Sequence, residues 1–130
     1  MKKPKPTTGL RHIALFVVNF EECEKFYTEL MGMSVDWRPD ADNLYLTTGT
    51  DNFAMHRAPV DFNPAQHQRL DHFGFFLDER AEVDKWHAYL VSKGVKAGAP
   101  KDHRDGTRSF YCADPDGNSV QIIYYPVTER

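Results

Sequence analysis

The sequence predicts an α+β protein built from two β-α-β-β-β modules, with helices on the outside of curved sheets. Three observations predict it. The first is a repeat: Leu10-Arg11-His12-Ile13-Ala14-Leu15-Phe16 returns sixty residues later as Leu70-Asp71-His72-Phe73-Gly74-Phe75-Phe76. The register continues through Glu22 and Glu82, Lys25 and Lys85, Phe26 and Trp86, and Leu30 and Leu90. A fixed internal period marks copies of one supersecondary unit. The second is that each copy passes from a strand-length apolar run to apolar residues at helical spacing. The third is that turn residues divide the remainder of each copy into short strand-length segments.

The elements follow in order. His12–Val18 is an apolar run suited to a strand buried on both faces. Alternation puts His12, Ala14 and Phe16 on one side and Ile13, Leu15 and Val17 on the other. Asn19 is the expected helix N-cap, with Glu22 completing a capping box. Cys23, Phe26, Tyr27 and Leu30 form the core stripe, and Gly32 is the expected C-terminal cap. Ser34–Arg38, Asn43–Thr47 and Phe53–Arg57 are three strands, separated by Pro39-Asp40 and by Gly49–Asn52. Pro59–Gln68 is the linker.

In the second copy Phe73–Leu77 is the strand. Asp78 caps a helix whose Val83, Trp86 and Leu90 face the core and whose end is Gly94. Val95–Ala97, Thr107–Ala113 and Ser119–Tyr125 supply three more strands, and Asp114-Pro115-Asp116-Gly117-Asn118 is a dense turn signal. The expected organisation is a basic tail (1–8), one domain (9–126) and a short tail (127–130). Within the domain, module one is 9–59, the linker 60–69 and module two 70–126.

The 130 residues, 41% apolar and 27% charged, suit one folded domain and contain no membrane span. A formal charge of −3 gives no footprint for nucleic acid. No apolar run of signal-peptide length follows the basic start, and Cys23 and Cys112 are too few for a disulfide framework. A cytoplasmic protein with free thiols is the expectation.

The arrangement resembles the vicinal-oxygen-chelate superfamily, also called the glyoxalase/bleomycin-resistance/dioxygenase superfamily. The resemblance spans roughly residues 9–126. It is carried by Arg11–Leu15, by Phe26-Tyr27 with Leu30 and Gly32, and by Asp71–Phe75. Its most specific part is Ser109-Phe110-Tyr111, then Asp114–Asn118, then Val120-Gln121-Ile122. It implies an incomplete eight-stranded barrel around a divalent metal and a small-molecule substrate, in a chain that forms a homodimer.

Carried over residue by residue, the resemblance makes His12 and His72 metal ligands, and places Gln121 where the family usually has glutamate. His56 best fits the corresponding position in module one. Neutral imidazoles suit zinc, iron, nickel or cobalt, with manganese a further candidate, but this set lacks any carboxylate. It therefore lacks the metal-bound glutamate that glyoxalase-type members use as a base. Proton transfer would fall to His56 or to His103, which sits in the polar loop Lys101–Gly106. Phe16, Phe76 and Tyr111 are candidate pocket-lining residues. His67 and His87 read as surface or structural residues.

Two functions fit. One is a divalent-metal-dependent enzyme acting on a small oxygenated molecule, either lactoylglutathione-lyase-like or dioxygenase-like. The other is a metal-free small-molecule or antibiotic-binding protein of the same fold, which the replacement of glutamate by Gln121 would suit.

Overall fold

A computed structural model describes residues 10–62, 70, 72–103, 106–124 and 126. The tails at 1–8 and 127–130, His67 with most of the expected linker, and Tyr125 lie outside the described residues. The chain divides into two compact units, Met1–Pro59 and Val60–Arg130.

Module one contains β1 (His12–Val17), α1 (Phe20–Lys25), β2 (Ser34–Asp40), β3 (Asn43–Thr47) and β4 (Asn52–Arg57). Module two contains β5 (Phe73–Leu77), α2 (Glu82–Ser92), β6 (Lys101–Asp102), β7 (Arg108–Ala113) and β8 (Ser119–Tyr124). The two four-stranded sheets have the same topology, β1-β4-β3-β2 and β5-β8-β7-β6. In each, the first and last strands pair in parallel and the other neighbours are antiparallel. The fold class is therefore as the repeat predicts, two β-α-β-β-β copies, and the strand order β1-β4-β3-β2 recurs in the second copy as β5-β8-β7-β6.

Each sheet has a closed face and an open one. In module one the closed face carries Leu44, Leu46, Phe53 and Met55, all buried, against Phe20, Cys23, Phe26 and Tyr27. Tyr27 packs on Phe53 with ring centroids 4.6 Å apart. In module two Phe110, Val120 and Ile122 are buried with Val83 and Leu90 of α2, and His87 meets Phe110 edge-on at 5.1 Å. Burying each such large apolar side chain contributes about 1.5–3 kcal/mol, so these two layers hold the modules together.

Several local expectations need correction. β1 is not buried on both faces, because His12, Ala14 and Phe16 are exposed. Asn19 occupies the N-cap position without a side-chain cap bond, so the capping box does not form. The first helix widens at Phe26–Leu30 into a turn with i→i+5 bonding, with Met31 N–H donating to the Phe26 carbonyl. Gly32 then reverses the chain at φ 80°, a conformation that glycine tolerates without steric cost. β2 runs through Pro39 to Asp40, and the chain turns at Ala41-Asp42 instead. α2 begins at Glu82 rather than after Asp78, because Asp78–Ala81 forms a bend and turn first. Trp86 is half-buried rather than core. Val95–Ala97 is not a strand: only Ala97 bridges, to Cys112. The fourth strand of module two is Lys101–Asp102, inside the segment expected to be a polar loop.

Candidate functional site

The open face of module one is built by all four of its strands. β1 supplies His12 and Phe16, and β4 supplies Asn52, Ala54 and His56. β3 supplies Asn43 and Tyr45. β2 contributes more than alternation allows, because its pairing with β3 slips twice, between Val35 and Trp37 and between Trp37 and Asp40. Each bulge adds a residue to one strand and re-aims the side chains beside it. The consecutive residues Asp36 and Trp37 can thus serve one face. Asp36 Oδ2 accepts from Asn52 Nδ2 at 3.4 Å, and Trp37 stacks on Tyr45 at 5.2 Å. After the second bulge, Asp40 reaches Asn43.

Both histidines of this face are held through Nδ1 by an asparagine oxygen. His12 Nδ1 lies 2.7 Å from Asn52 Oδ1, and His56 Nδ1 lies 2.6 Å from Asn43 Oδ1. Phe16 and Tyr45 flank His56, with ring centroids at 6.2 and 6.0 Å. Phe16 (56%) and Trp37 (59%) remain largely exposed. The Asp40 carboxyl is held below its usual range, first by the Asp42 backbone N–H and then by the Asn43 amide.

In module two, His72 contacts Tyr111 edge-on at 5.1 Å, and Tyr111 lies directly opposite Gln121 in the β7–β8 ladder. Gln121 Nε2 donates to Ser109 Oγ at 3.1 Å, and the same oxygen lies 3.1 Å from His103 Nε2. Ser109 is buried and joins two residues that the sequence reading treated separately. Gly74 pairs with Gln121, and a Cβ at Gly74 would stand 2.7 Å from the Gln121 carbonyl oxygen. Phe76 and Tyr111 are 66% and 42% exposed on this open face.

The strand registers give the correspondence between the modules. Ala14 pairs with Ala54 and Gly74 with Gln121, and Ala14 and Gly74 are repeat equivalents. The position equivalent to Gln121 is therefore Ala54, and His56 stands one alternation step beyond it. His56 pairs with Phe16, whereas His12 pairs with Asn52. The two histidines are thus about 13 Å apart along the strands at ~3.3 Å per residue. Among the described residues, no group of three His, Cys, Asp or Glu side chains is placed to hold a metal ion.

Asp114 is half of a structural turn rather than a site. Its carboxylate accepts from the Asp116 and Asn118 backbone N–H groups and from the Asn118 amide, each at 2.8 Å.

The sequence profile described as the Glyoxalase/Bleomycin resistance protein/Dioxygenase superfamily matches residues 9–122. The chain belongs to that superfamily. It is 28% identical over 120 residues to a protein of Bacillus subtilis (strain 168) named "Probable trivalent organoarsenical cleaving enzyme", covering 87% of this chain and 77% of that one. An uncharacterised protein of Pseudomonas aeruginosa is 29% identical over 123 residues, covering 88% and 87%. Among solved structures, a lactoylglutathione lyase from Agrobacterium tumefaciens superposes with TM-score 0.74 at 21% identity, covering 92% and 95% of the two chains. An integron cassette protein from the Halifax Harbour sewage-outfall metagenome gives TM-score 0.78 at 27% identity, covering 92% and 100%. No helix among the described residues is long and apolar enough to cross a membrane.

Proposed function

We propose that this superfamily member is a divalent-metal-dependent enzyme acting on a small oxygenated molecule. By the family resemblance, His12, His72 and Gln121 would be its metal-holding residues, and His56 would move protons. The observation that carries this reading is the His12–Asn52 pair. Metal-binding histidines commonly donate their other ring N–H to an oxygen, which fixes the ring and raises its basicity. Asn52 Oδ1, 2.7 Å from His12 Nδ1, supplies such an oxygen and leaves Nε2 for a cation. Gln121 fits in the same way: its amide nitrogen is engaged by Ser109, which leaves Oε1 as the donor atom. The set is neutral, so it fits zinc, iron, nickel, cobalt or manganese through imidazole and amide donors alone.

When bound, a divalent cation supplies polarisation of substrate oxygens. The chain's own residues do the rest. Each open face offers exposed aromatic surface to the apolar part of a substrate, Phe16 and Trp37 in module one and Phe76 and Tyr111 in module two. His103 shares Ser109 with Gln121 and so helps to set the amide's direction. The proposed setting is a cytoplasmic homodimer. Organoarsenicals and lactoylglutathione, suggested by the names of one relative and one structural neighbour, are the first compounds to try.

Metal analysis of protein purified without chelator or a metal-affinity column tests the reading. We expect about one divalent ion per chain, lost in His12→Ala and His72→Ala with the melting temperature of the metal-free protein unchanged. Protein that retains no cation, and whose melting temperature no added cation raises, would overturn it. Ala54 favours the second reading, a metal-free binder, because it cannot ligate where its repeat equivalent, Gln121, can. Stabilisation by an aromatic compound that is equal with and without chelator would select that reading.

A further inference from the structure

We propose that Asn43 is a positioning residue that holds His56 in a single tautomer, with the proton on Nδ1 and a bare lone pair on Nε2. An Asn side chain can usually be turned over, exchanging its oxygen and nitrogen, so a His–Asn contact alone does not say which partner donates. Here the orientation is decided by a third group. Asn43 Nδ2 lies 2.8 Å from Asp40 Oδ1 and 3.0 Å from Asp40 Oδ2. A carboxylate only accepts, so the face of the amide turned to Asp40 must be NH2. The face turned to His56 must then be the oxygen, and an oxygen can only accept from Nδ1–H.

Asp40 is itself fixed. Its Oδ1 accepts from the Asp42 backbone N–H at 2.8 Å, which closes a short turn, and the second bulge of β2 aims it at Asn43. The direction of every bond is thus set from the carboxylate outward: Asp40 accepts from Asn43, which accepts from His56. Phe16 and Tyr45 contribute ring faces and edges beside the imidazole.

The consequence is a defined polarity for this part of the open face. Neutral His56 offers an acceptor and no donor through Nε2. It will pair with a ligand hydroxyl, amine or other acidic hydrogen, and it disfavours a carbonyl or carboxylate. On taking a proton, Nε2 forms the new N–H bond while the electron pair of the broken bond stays on the ligand atom. The Asp40 charge, relayed through Asn43, faces the resulting imidazolium. The role of His56 in turnover rests on the enzyme reading above, but its tautomer does not.

Nitrogen-15 long-range correlation spectra of the metal-free, chelator-treated full chain report the tautomer directly. They are recorded at about pH 8, above the ordinary imidazole range. We expect Nδ1–H to dominate at His56 by roughly tenfold, the weight of one net hydrogen bond. Asn43→Ala should collapse that ratio to near unity or reverse it, with amide dispersion retained. Asp40→Asn, a milder change, should leave a mixture because the Asn43 amide is then free to turn over. Asn43→Asp, which keeps an acceptor at this position, should restore Nδ1–H. An Nε2–H form in the wild-type protein, or an unchanged ratio in either Asn43→Ala or Asp40→Asn, would overturn the proposal. None of these readings depends on metal or substrate.

Discussion

The two modules share a topology and differ at one edge. In module one the edge strand β2 has seven residues and two bulges, and its carboxylates Asp36 and Asp40 turn inward to asparagines that hold histidines. In module two the edge strand β6 has two residues. Its Asp102 is turned to Arg80 and Arg108 instead, and Arg108 also pairs with Asp84 of α2. Among the described residues, the polar chain of the second open face runs from Gln121 through the buried Ser109 hydroxyl to His103. The two copies keep one topology, and the outermost strand is where their polar contacts diverge. That is physically reasonable, because an edge strand has one neighbour and can bulge or shorten without breaking the ladder beyond it.

The largest expected contrast is between closed and open faces. Phe110 is fully buried and Phe76 is two-thirds exposed. Phe110→Ala should cost about 3–5 kcal/mol, whereas Phe76→Ala should change stability by under about 0.5 kcal/mol. Chemical denaturation compares them, and similar losses would mean that the open face is not open in solution.

The next contrast is between the equivalent residues Ala14 and Gly74. Gly74→Ala should cost about 1–3 kcal/mol, since the new methyl must push β5 away from the Gln121 backbone. It should also disturb the Gln121 amide resonance. Ala14→Gly should cost only about 0.5–1 kcal/mol through backbone entropy. Equal effects would show that the two parallel pairs are spaced alike and that the close approach at Gln121 is not real.

A third test concerns Cys112, which like Cys23 is buried and outside any disulfide. Burial, followed by the nearby Asp114 charge, pushes the Cys112 thiol up to about 11 from 9.0. A raised thiol pKa contributes stability that is full below about 9 and is lost as pH rises through about 11. Native protein should therefore resist alkylation at Cys112 at pH 8. Rapid labelling there, before unfolding, would contradict its placement.

The smallest effect concerns the outward ion pairs. Hydrogen bonding from Arg108 is the first cause that holds the Asp84 and Asp102 carboxyls below their usual range, and the Arg80 charge adds to it at Asp102. Such depressed carboxylates contribute stability above their unfolded pKa and lose it as pH falls through the folded value. Arg108→Gln should move both titrations upward by NMR while leaving His72 and Tyr111 in contact.

Much of this was legible in the sequence, and the remainder was hidden for identifiable reasons. The sixty-residue repeat placed both parallel first strands, and the helical spacing of Cys23, Phe26 and Tyr27 marked the buried stripe correctly. His12, His72 and Gln121 stood out as candidates because they sit at repeat or motif positions. Asn43, Asn52, Asp36 and Asp40 were missed. Strict alternation sends Asp36 and Trp37 to opposite faces, and the bulges that unite them arise from pairing with β3 rather than from local pattern. A usable signal existed: an asparagine opens each of the two strands next to a histidine-bearing partner. β6 was invisible because Lys101-Asp102 is too short and too polar to show periodicity. Ser109 belongs to the resemblance's most specific motif, but its role shows only once Gln121 and His103 are placed on either side of it.

The parallel pairing of first and last strands has a consequence for how the chain is made. His12 meets its partner Asn52 forty residues later, and Phe73 meets Val120 forty-seven later. Neither sheet can close until its final strand has been synthesised, and such non-local closure is slow relative to helix formation. Each loop is nevertheless contained within its own module. During translation the first sheet can close while the second is still being made, so a single chain gives the folding machinery two small problems in succession rather than one large one.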